Sequence, residues 1–311
     1  MTKEFRDDKG FTENEFLAHY KLKDYERPSI TVDPVLLTVV DGVITNPKNP
    51  PRKKLQVLLI KRGGHPFIYH WALPGGFIQM NESSNEGAYR ELEEETSIRR
   101  DQVYLEQLYT WNDPHRDPRG RIISISYMAL VDSGRLDVRA GSDARDARWF
   151  TIELFPFKKN KSRTAEGFIQ EEYWRLNLIN EDLPATEEFP ALTAVIRITR
   201  TVEGNIIKTD RQVIESCGIA FDHAAIIEYS MFRLKNKIEW TDIAFALMPP
   251  LFSLGDLQRV YEAILGRELT DPNFRRKMGN KVIETNEKEL GVPWRPSKLY
   301  RFNPNWDEES F

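Results

Sequence analysis

Glu91, Glu94 and Glu95 stand at i, i+3 and i+4 in the run "RELEEET". On a helix this spacing puts three carboxylates on one face, where like charges repel. The repulsion is relieved if the face binds a hard divalent cation through oxygen, and such a cation can hold a diphosphate beside an activated water. Taken alone, a glutamate run is more often a solvated helix face than a metal site. The surrounding chain has to decide between the two.

The elements that would position these glutamates can be read from pattern. Residues Ser83 to Thr96 lack proline and carry Ala88, Tyr89 and Leu92 among charges, which suits a helix with one buried stripe. Two β-branched runs precede it, Ser29 to Val40 and Leu55 to Arg62, with a Gly-, Asn- and Pro-containing loop between them. Strands are expected after it at Val103 to Trp111, Arg121 to Val131 and, briefly, Ala147 to Phe150, with a polar, turn-rich loop from 112 to 120. Strands on both sides of a single helix predict an α/β (α+β) sandwich built on a mixed sheet. Just before the glutamates, Phe67, Tyr69 or Trp71 could stack a base, although core packing suits Trp71 better, and His70 reads as a turn residue.

Further along, Lys158 to Pro190 reads as irregular and polar. Ala194 to Ser216 reads as a hairpin about Gly204-Asn205, and Asp222 to Ile238 as a long helix with Asp222 as its N-cap. At 311 residues two domains are the natural prior: 1–248, with an insertion at about 158–216, and 249–311 after "LMPPLF".

The second domain opens with "SLGDLQRVYEAILG". Ser253 is its cap, Asp256 sits at the capping-box position, Leu254, Leu257, Tyr261 and Ile264 form its apolar stripe, and Gly266 stops it. A short helix capped by Thr270 and ended by Gly279 follows, then two β-like runs. Two helices and a hairpin make a winged helix-turn-helix. Arg275, Arg276, Lys277 and Lys281 on or after the second helix, with Lys288, Arg295, Lys298 and Arg301 in the wing, would meet a phosphate backbone. Because Glu284, Glu287 and Glu289 interrupt that basic surface, an interaction or dimerisation module is the other reading.

Bulk properties bound the function. A net charge of −4 argues against wholesale nucleic-acid coating and leaves room for a local basic face. The single cysteine, Cys217, excludes an intramolecular disulfide or a thiolate metal cluster and fits a reducing compartment. The opening residues lack the apolar centre of a signal peptide, and no stretch approaches the roughly 20 apolar residues of a membrane span. A cytoplasmic protein without membrane partners is expected.

The stretch Gly75 to Ile98 resembles the Nudix hydrolase signature: Gly76, five residues, Glu82, seven residues, Arg90-Glu91-Leu92, one residue, Glu94-Glu95, one residue, a small residue, and Ile98. Carried across by position, the resemblance implies that Glu91, Glu94 and Glu95 bind Mg²⁺ or Mn²⁺, that Glu82 assists from the preceding loop, and that Arg90 orients the acidic cluster. It also implies that Gly75 and Gly76 permit a sharp backbone turn. One position departs. Ser97 stands where the family has a left-handed Gly, which should strain the helix end by about 1 kcal/mol without deleting a ligand.

Residues Gln107 to Val131 resemble the matching segment of the ADP-ribose pyrophosphatase branch. By that resemblance Arg116, Arg119 and Arg121 could fork onto phosphate or ribose oxygens; without it, each reads equally as part of a salt-bridged surface loop. A Nudix domain followed by this second domain is similar to the bacterial Nudix-related transcriptional regulators of NAD metabolism. The resemblance implies a first domain that senses ADP-ribose or a related ligand and a second that binds operator DNA, as a homodimer. Two functions stand. The first is metal-dependent hydrolysis of ADP-ribose or another nucleoside diphosphate-linked compound; the alternative is a non-catalytic sensor of ADP-ribose or a sugar metabolite that regulates transcription. The general base stays open between Glu95 and a carboxylate from a distant loop.

Overall fold

The computed structural model describes residues 5–132 apart from 22, 24, 45 and 47, residue 134, and residues 144–183 and 191–306. A short helix α1 (Glu13–His19) leads into β1 (Ser29–Asp41) and β2 (Lys53–Arg62). Two brief strands, β3 (Trp71–Ala72) and β4 (Gly76–Phe77), precede the glutamate helix α2 (Ser84–Thr96). Then come β5 (Tyr104–Trp111), β6 (Ile122–Leu130), β7 (Ala144–Arg163), β8 (Gly167–Ile179), β9 (Leu192–Glu203) and β10 (Ile206–Cys217). Their order in the sheet is β10-β9-β8-β7-β2-β1-β6-β5, with β3 against β2 and β4 against β1. Strands β1 and β6 run parallel while the other pairs are antiparallel, so the sheet is mixed as expected.

The apolar runs of β1 and β2 are continuous because both faces of the central sheet are covered. Successive side chains alternate across it. Leu36 and Leu58 point to the α2 side and pack with Leu92, Ile98, Ala129 and Val131. Val35, Leu37, Val57 and Leu59 point the other way, into a larger core with Ile226, Ile227 and Leu234 of α3 (His223–Lys237) and with Leu257, Val260 and Ile264 of α4 (Leu254–Leu265). The result is an α/β/α sandwich with α2 on one face and α3 and α4 on the other.

The chain from Lys158 departs from expectation. Instead of irregular structure, it continues β7, a strand of 20 residues, and turns into β8, which pairs with it along its whole length. The brief strand expected at Ala147 to Phe150 is only part of β7. Beyond the core this ribbon is held by cross-strand pairs: Lys159 faces Glu172 at 2.8 Å, Lys161 lies 3.9 Å from the Phe168 ring, and Arg175 lies 5.1 Å from the Phe157 ring. The outer half of β8 lacks apolar alternation and reads as loop, whereas nearer the core Leu176 and Leu178 alternate with polar residues and are buried. Residues 184–190 lie outside the described part of the chain. The hairpin about Gly204-Asn205 forms as expected between β9 and β10.

The C-terminal part forms α4, α5 (Asp271–Met278) and a three-stranded sheet in the order β11 (Phe252–Ser253), β13 (Lys298–Phe302), β12 (Val282–Lys288), the layout of a winged helix. Ser253 caps α4 by accepting the Asp256 N–H at 3.0 Å, and Gly266 ends it in the left-handed region at φ 68°. Thr270 makes no capping hydrogen bond with its side chain. Helix α4 also lies against β2 and α3, so one core runs across the boundary expected near residue 249. No helix among the described residues is long and apolar enough to cross a membrane.

Candidate functional site

Helix α2 begins with a complete capping box: the Ser83 hydroxyl accepts the Glu86 N–H while the Glu86 carboxylate accepts the Ser83 N–H. It ends at Ser97 with φ 61° and ψ 16°, the left-handed conformation that the serine was expected to strain. Between these ends Ala88 and Leu92 are buried against the sheet, which turns the acidic face toward the Gly75-Gly76 turn. That turn requires glycine. Gly75 has φ 151°, and a Cβ there would lie 2.2 Å from the Val32 carbonyl oxygen; a Cβ on Gly76 would lie 2.3 Å from Glu91 Oε1.

Arg90 gathers the acidic cluster. Its Nε and Nη2 donate to the two oxygens of Glu82 at 3.0 and 2.7 Å, its Nη1 to Glu91 and Glu94 at 2.7 and 3.0 Å, and its Nη2 also to the Phe77 carbonyl at 3.1 Å. The orienting role expected of Arg90 therefore has a geometric basis. The guanidinium, with help from the Gln79 N–H, holds the Glu82 carboxyl down to about 2. Burial pushes the Glu91 carboxyl up, against the pull of Arg90. Glu95 turns the other way, and its Oε2 accepts the Gly75 N–H at 2.7 Å.

A cleft of about 630 Å³ opens beside the turn. Of the acidic residues of α2 only Glu95 lines it; Glu82, Glu91 and Glu94 sit behind, around Arg90. The cleft walls also carry Asp33, Arg62, Arg116, Asp117, Arg119, Phe77, Phe221 and His223. The expected arginines divide. Arg116 is almost wholly buried, forks onto Asp222 at 2.9 and 2.6 Å, and approaches Asp33 at 3.8 Å. Arg119 forks onto Asp117 at 3.0 and 2.7 Å and lies over the Phe77 and Phe221 rings. Arg121 is outside the cleft lining, where it donates to the Asn112 and Asp113 carbonyls and braces the loop.

Several cleft residues were not among the candidates read from the sequence. Asp33 is a buried carboxylate whose burial raises its affinity for a proton despite Arg116 and the Ser124 hydroxyl. A charge inside the run "SITVDPVLL" was the available signal. Burial alone would raise the Asp117 carboxyl too, but the hydrogen bonds from Arg119 bring it below the usual range. Burial lowers Arg62, and the nearby Arg119 adds to the effect. Asp222 stands at the N-cap position of α3 but makes no cap bond with its side chain, because Arg116 holds both oxygens. His223 is buried, and its Nδ1 accepts the Leu73 N–H at 2.9 Å. Trp71 packs in the core, edge-on to Phe150.

Glu91, Glu94 and Glu95 supply only carboxylate oxygens, which suit a hard divalent cation, and the Gly76 backbone passes Glu91 with no side chain between. Among the described residues no three carboxylate, imidazole or thiolate groups converge on one point as they stand, because Arg90 holds Glu91 and Glu94 and the Gly75 N–H holds Glu95. The donor set fits a metal in kind, with the Arg90 contacts to Glu91 and Glu94 giving way.

On the winged helix, Phe274 and Met278 of α5 face inward while Arg275, Arg276 and Lys277 are exposed. Arg295 is exposed as well. Lys298 pairs with Glu284 across the wing. Lys281 differs from expectation: it is 7% exposed, its Nζ reaches the Thr241 carbonyl at 3.3 Å and lies 3.8 Å from the Trp306 ring. Burial lowers its affinity for a proton, and it is a structural residue rather than part of a DNA-facing surface.

A mixed sheet that presents a glutamate helix at an arginine-lined cleft, joined to a winged helix, defines a Nudix protein with a DNA-binding module. The NUDIX domain family matches residues 36–170, and the NrtR DNA-binding winged helix domain matches residues 244–302. The chain is 30% identical, over 94% of its length and 88% of the relative's, to the ADPR responsive transcriptional repressor NtrR of Acinetobacter baylyi. It is 36% identical over 136 residues, 44% of this chain and 73% of the relative, to an ADP-ribose pyrophosphatase of Methanocaldococcus jannaschii. The crystal structure of Shewanella oneidensis NrtR aligns with a TM-score of 0.57 at 26% identity, covering 89% of this chain and 94% of that one. The chain belongs to the NrtR family of Nudix-domain, winged-helix proteins, homologous both to ADP-ribose responsive repressors and to ADP-ribose pyrophosphatases.

Proposed function

We propose that this protein is a cytoplasmic, homodimeric DNA-binding regulator whose Nudix cleft binds ADP-ribose or a close nucleoside diphosphate-linked relative. The observation that carries the reading is the cleft itself, where Arg62, Arg116 and Arg119 lie beside Phe77 and Phe221 in a space of about 630 Å³. Guanidinium groups match diphosphate oxygens, and aromatic faces suit a base or the arginines that flank it. The similarity to a repressor along nearly the whole chain supports pairing this cleft with DNA binding. Arg275, Arg276, Lys277 and Arg295 are the backbone contacts of this reading, with Lys298 available once it leaves Glu284. A dimer follows from the two half-sites that helix-turn-helix proteins read.

A second activity, hydrolysis of the ligand's pyrophosphate, is favoured by the complete acidic motif and by Glu95 in the cleft wall. In that case Glu91, Glu94 and Glu95 would hold Mg²⁺ or Mn²⁺, which when bound would neutralise diphosphate charge. Glu82 would act through Arg90. Both activities can be read on one sample. Calorimetry with ADP-ribose should give saturable binding that weakens at least tenfold in Arg119→Ala, and release of AMP with Mg²⁺ should vanish in Glu94→Gln and Glu95→Gln. Binding without AMP release would leave a pure sensor. Absence of ADP-ribose binding would defeat the reading.

A further inference from the structure

His223 is the first residue of α3 and is 4% exposed, yet it lines the cleft. Its Nδ1 accepts a hydrogen bond from the Leu73 N–H, a backbone group that can only donate. The single proton of the neutral ring therefore sits on Nε2. Among the described residues Nε2–H meets no protein acceptor. The ring is fixed further by Phe221, whose centroid lies 5.3 Å away. The Leu73 N–H and the Gly75 N–H belong to the same turn, so His223 and Glu95 clasp neighbouring donors of the segment that leads into the glutamate helix.

Although the residue as a whole is 4% exposed, Nε2 reaches the cleft, where water or a ligand can accept its hydrogen bond. The cleft wall already carries three guanidiniums, those of Arg116 and Arg119 forked onto Asp222 and Asp117. Arg62 and Arg116 also face the imidazole, with Asp117 and Asp222 opposing them, and burial holds the ring neutral down to about 3. A neutral donor of fixed direction adds no charge. It is suited to an uncharged oxygen.

We propose that His223 is a specificity-determining residue, donating from Nε2–H to an uncharged oxygen, a hydroxyl or carbonyl, of the nucleoside diphosphate-linked ligand. The inference rests on the proposed ADP-ribose reading of the cleft and assigns a contact within it. It makes the arginines readers of charge and His223 a reader of the sugar or base.

Two substitutions separate the ring nitrogens. In His223→Asn the amide oxygen can still accept the Leu73 N–H, while the donor at Nε2 is lost; in His223→Gln an amide N–H can reach the Nε2 position. Calorimetry on the full chain would use ADP-ribose and inorganic pyrophosphate as probes. His223→Asn is expected to bind ADP-ribose about tenfold more weakly and pyrophosphate as the wild type does, with His223→Gln recovering most of the ADP-ribose affinity. The histidine's contribution should be constant from pH 5 to 8. Wild-type ADP-ribose affinity in His223→Asn overturns the inference, as does an equal loss for pyrophosphate. If the wild-type chain fails to bind ADP-ribose at all, the reading of the cleft falls and the inference falls with it.

Discussion

Arg90 uses all five of its N–H donors, on Glu82, Glu91, Glu94 and the Phe77 carbonyl, and so fixes the acidic face before any ligand arrives. Gly76 is the other fixed point, since nothing larger fits against Glu91. Gly76→Ala is expected to destabilise by roughly 1–3 kcal/mol, because the new Cβ must displace the Glu91 carboxylate; urea unfolding would measure it. Ser97→Gly should act in the opposite direction, stabilising by about 1 kcal/mol through relief of the left-handed cap while leaving ADP-ribose affinity unchanged. His223 also predicts a pH dependence. Its folded-state value of about 3 is below the usual histidine value near 6.5, so the unfolded chain binds the extra proton first. Its contribution to stability is complete above about pH 6.5 and declines as pH falls from there toward 3. Unfolding measured at several pH values should lose about one proton of linkage in that window in His223→Asn.

At the scale of elements, the central strands and α2 were legible because burial on one or both faces leaves an apolar pattern in "VLLTVV", "LQVLLI" and the Ala88–Leu92 stripe. The outer half of the β7–β8 ribbon was not, since the pairs that hold it there are lysines and arginines against glutamate and aromatic rings; its inner half is held by Ile152, Leu154, Leu176 and Leu178, a short alternation overlooked within a polar stretch. Glu172→Lys would set like charges opposite each other in that ribbon. It should weaken the pairing by about 0.5–1 kcal/mol and speed local hydrogen exchange without changing ligand affinity. The candidate site follows the same division. Its glutamates belong to a local motif and were picked out by its resemblance to the Nudix signature, whereas Asp33, Asp117, Asp222 and His223 meet only through the fold and leave little trace in any short window. Asp222 illustrates the limit. Sequence placed it correctly at the start of α3, but its carboxylate serves Arg116 across the cleft rather than the helix end.

At the scale of the whole molecule, the cleft and the winged helix share one core. Strand β2 carries Lys61 and Arg62 at the cleft, and at its other end Lys53 lies 3.8 Å from Asp256 of α4, which itself packs on β2. The cleft and the DNA-binding part are thus joined through one packed strand and a common core, and the full chain should unfold in a single cooperative transition. Neutralising Arg275, Arg276 and Lys277 should weaken DNA binding and reduce the salt dependence by roughly 0.9 in log–log slope for each phosphate left without its cation. Coupling between cleft and DNA is read most directly from the affinity of the full chain for a duplex from its own upstream region, followed by fluorescence anisotropy as ADP-ribose is added, with Arg119→Ala in parallel. ADP-ribose is expected to change the wild-type affinity at least fivefold, and Arg119→Ala to need far more ligand for the same shift. Duplex binding that ADP-ribose leaves untouched, in a protein that binds ADP-ribose, would contradict a ligand-responsive regulator.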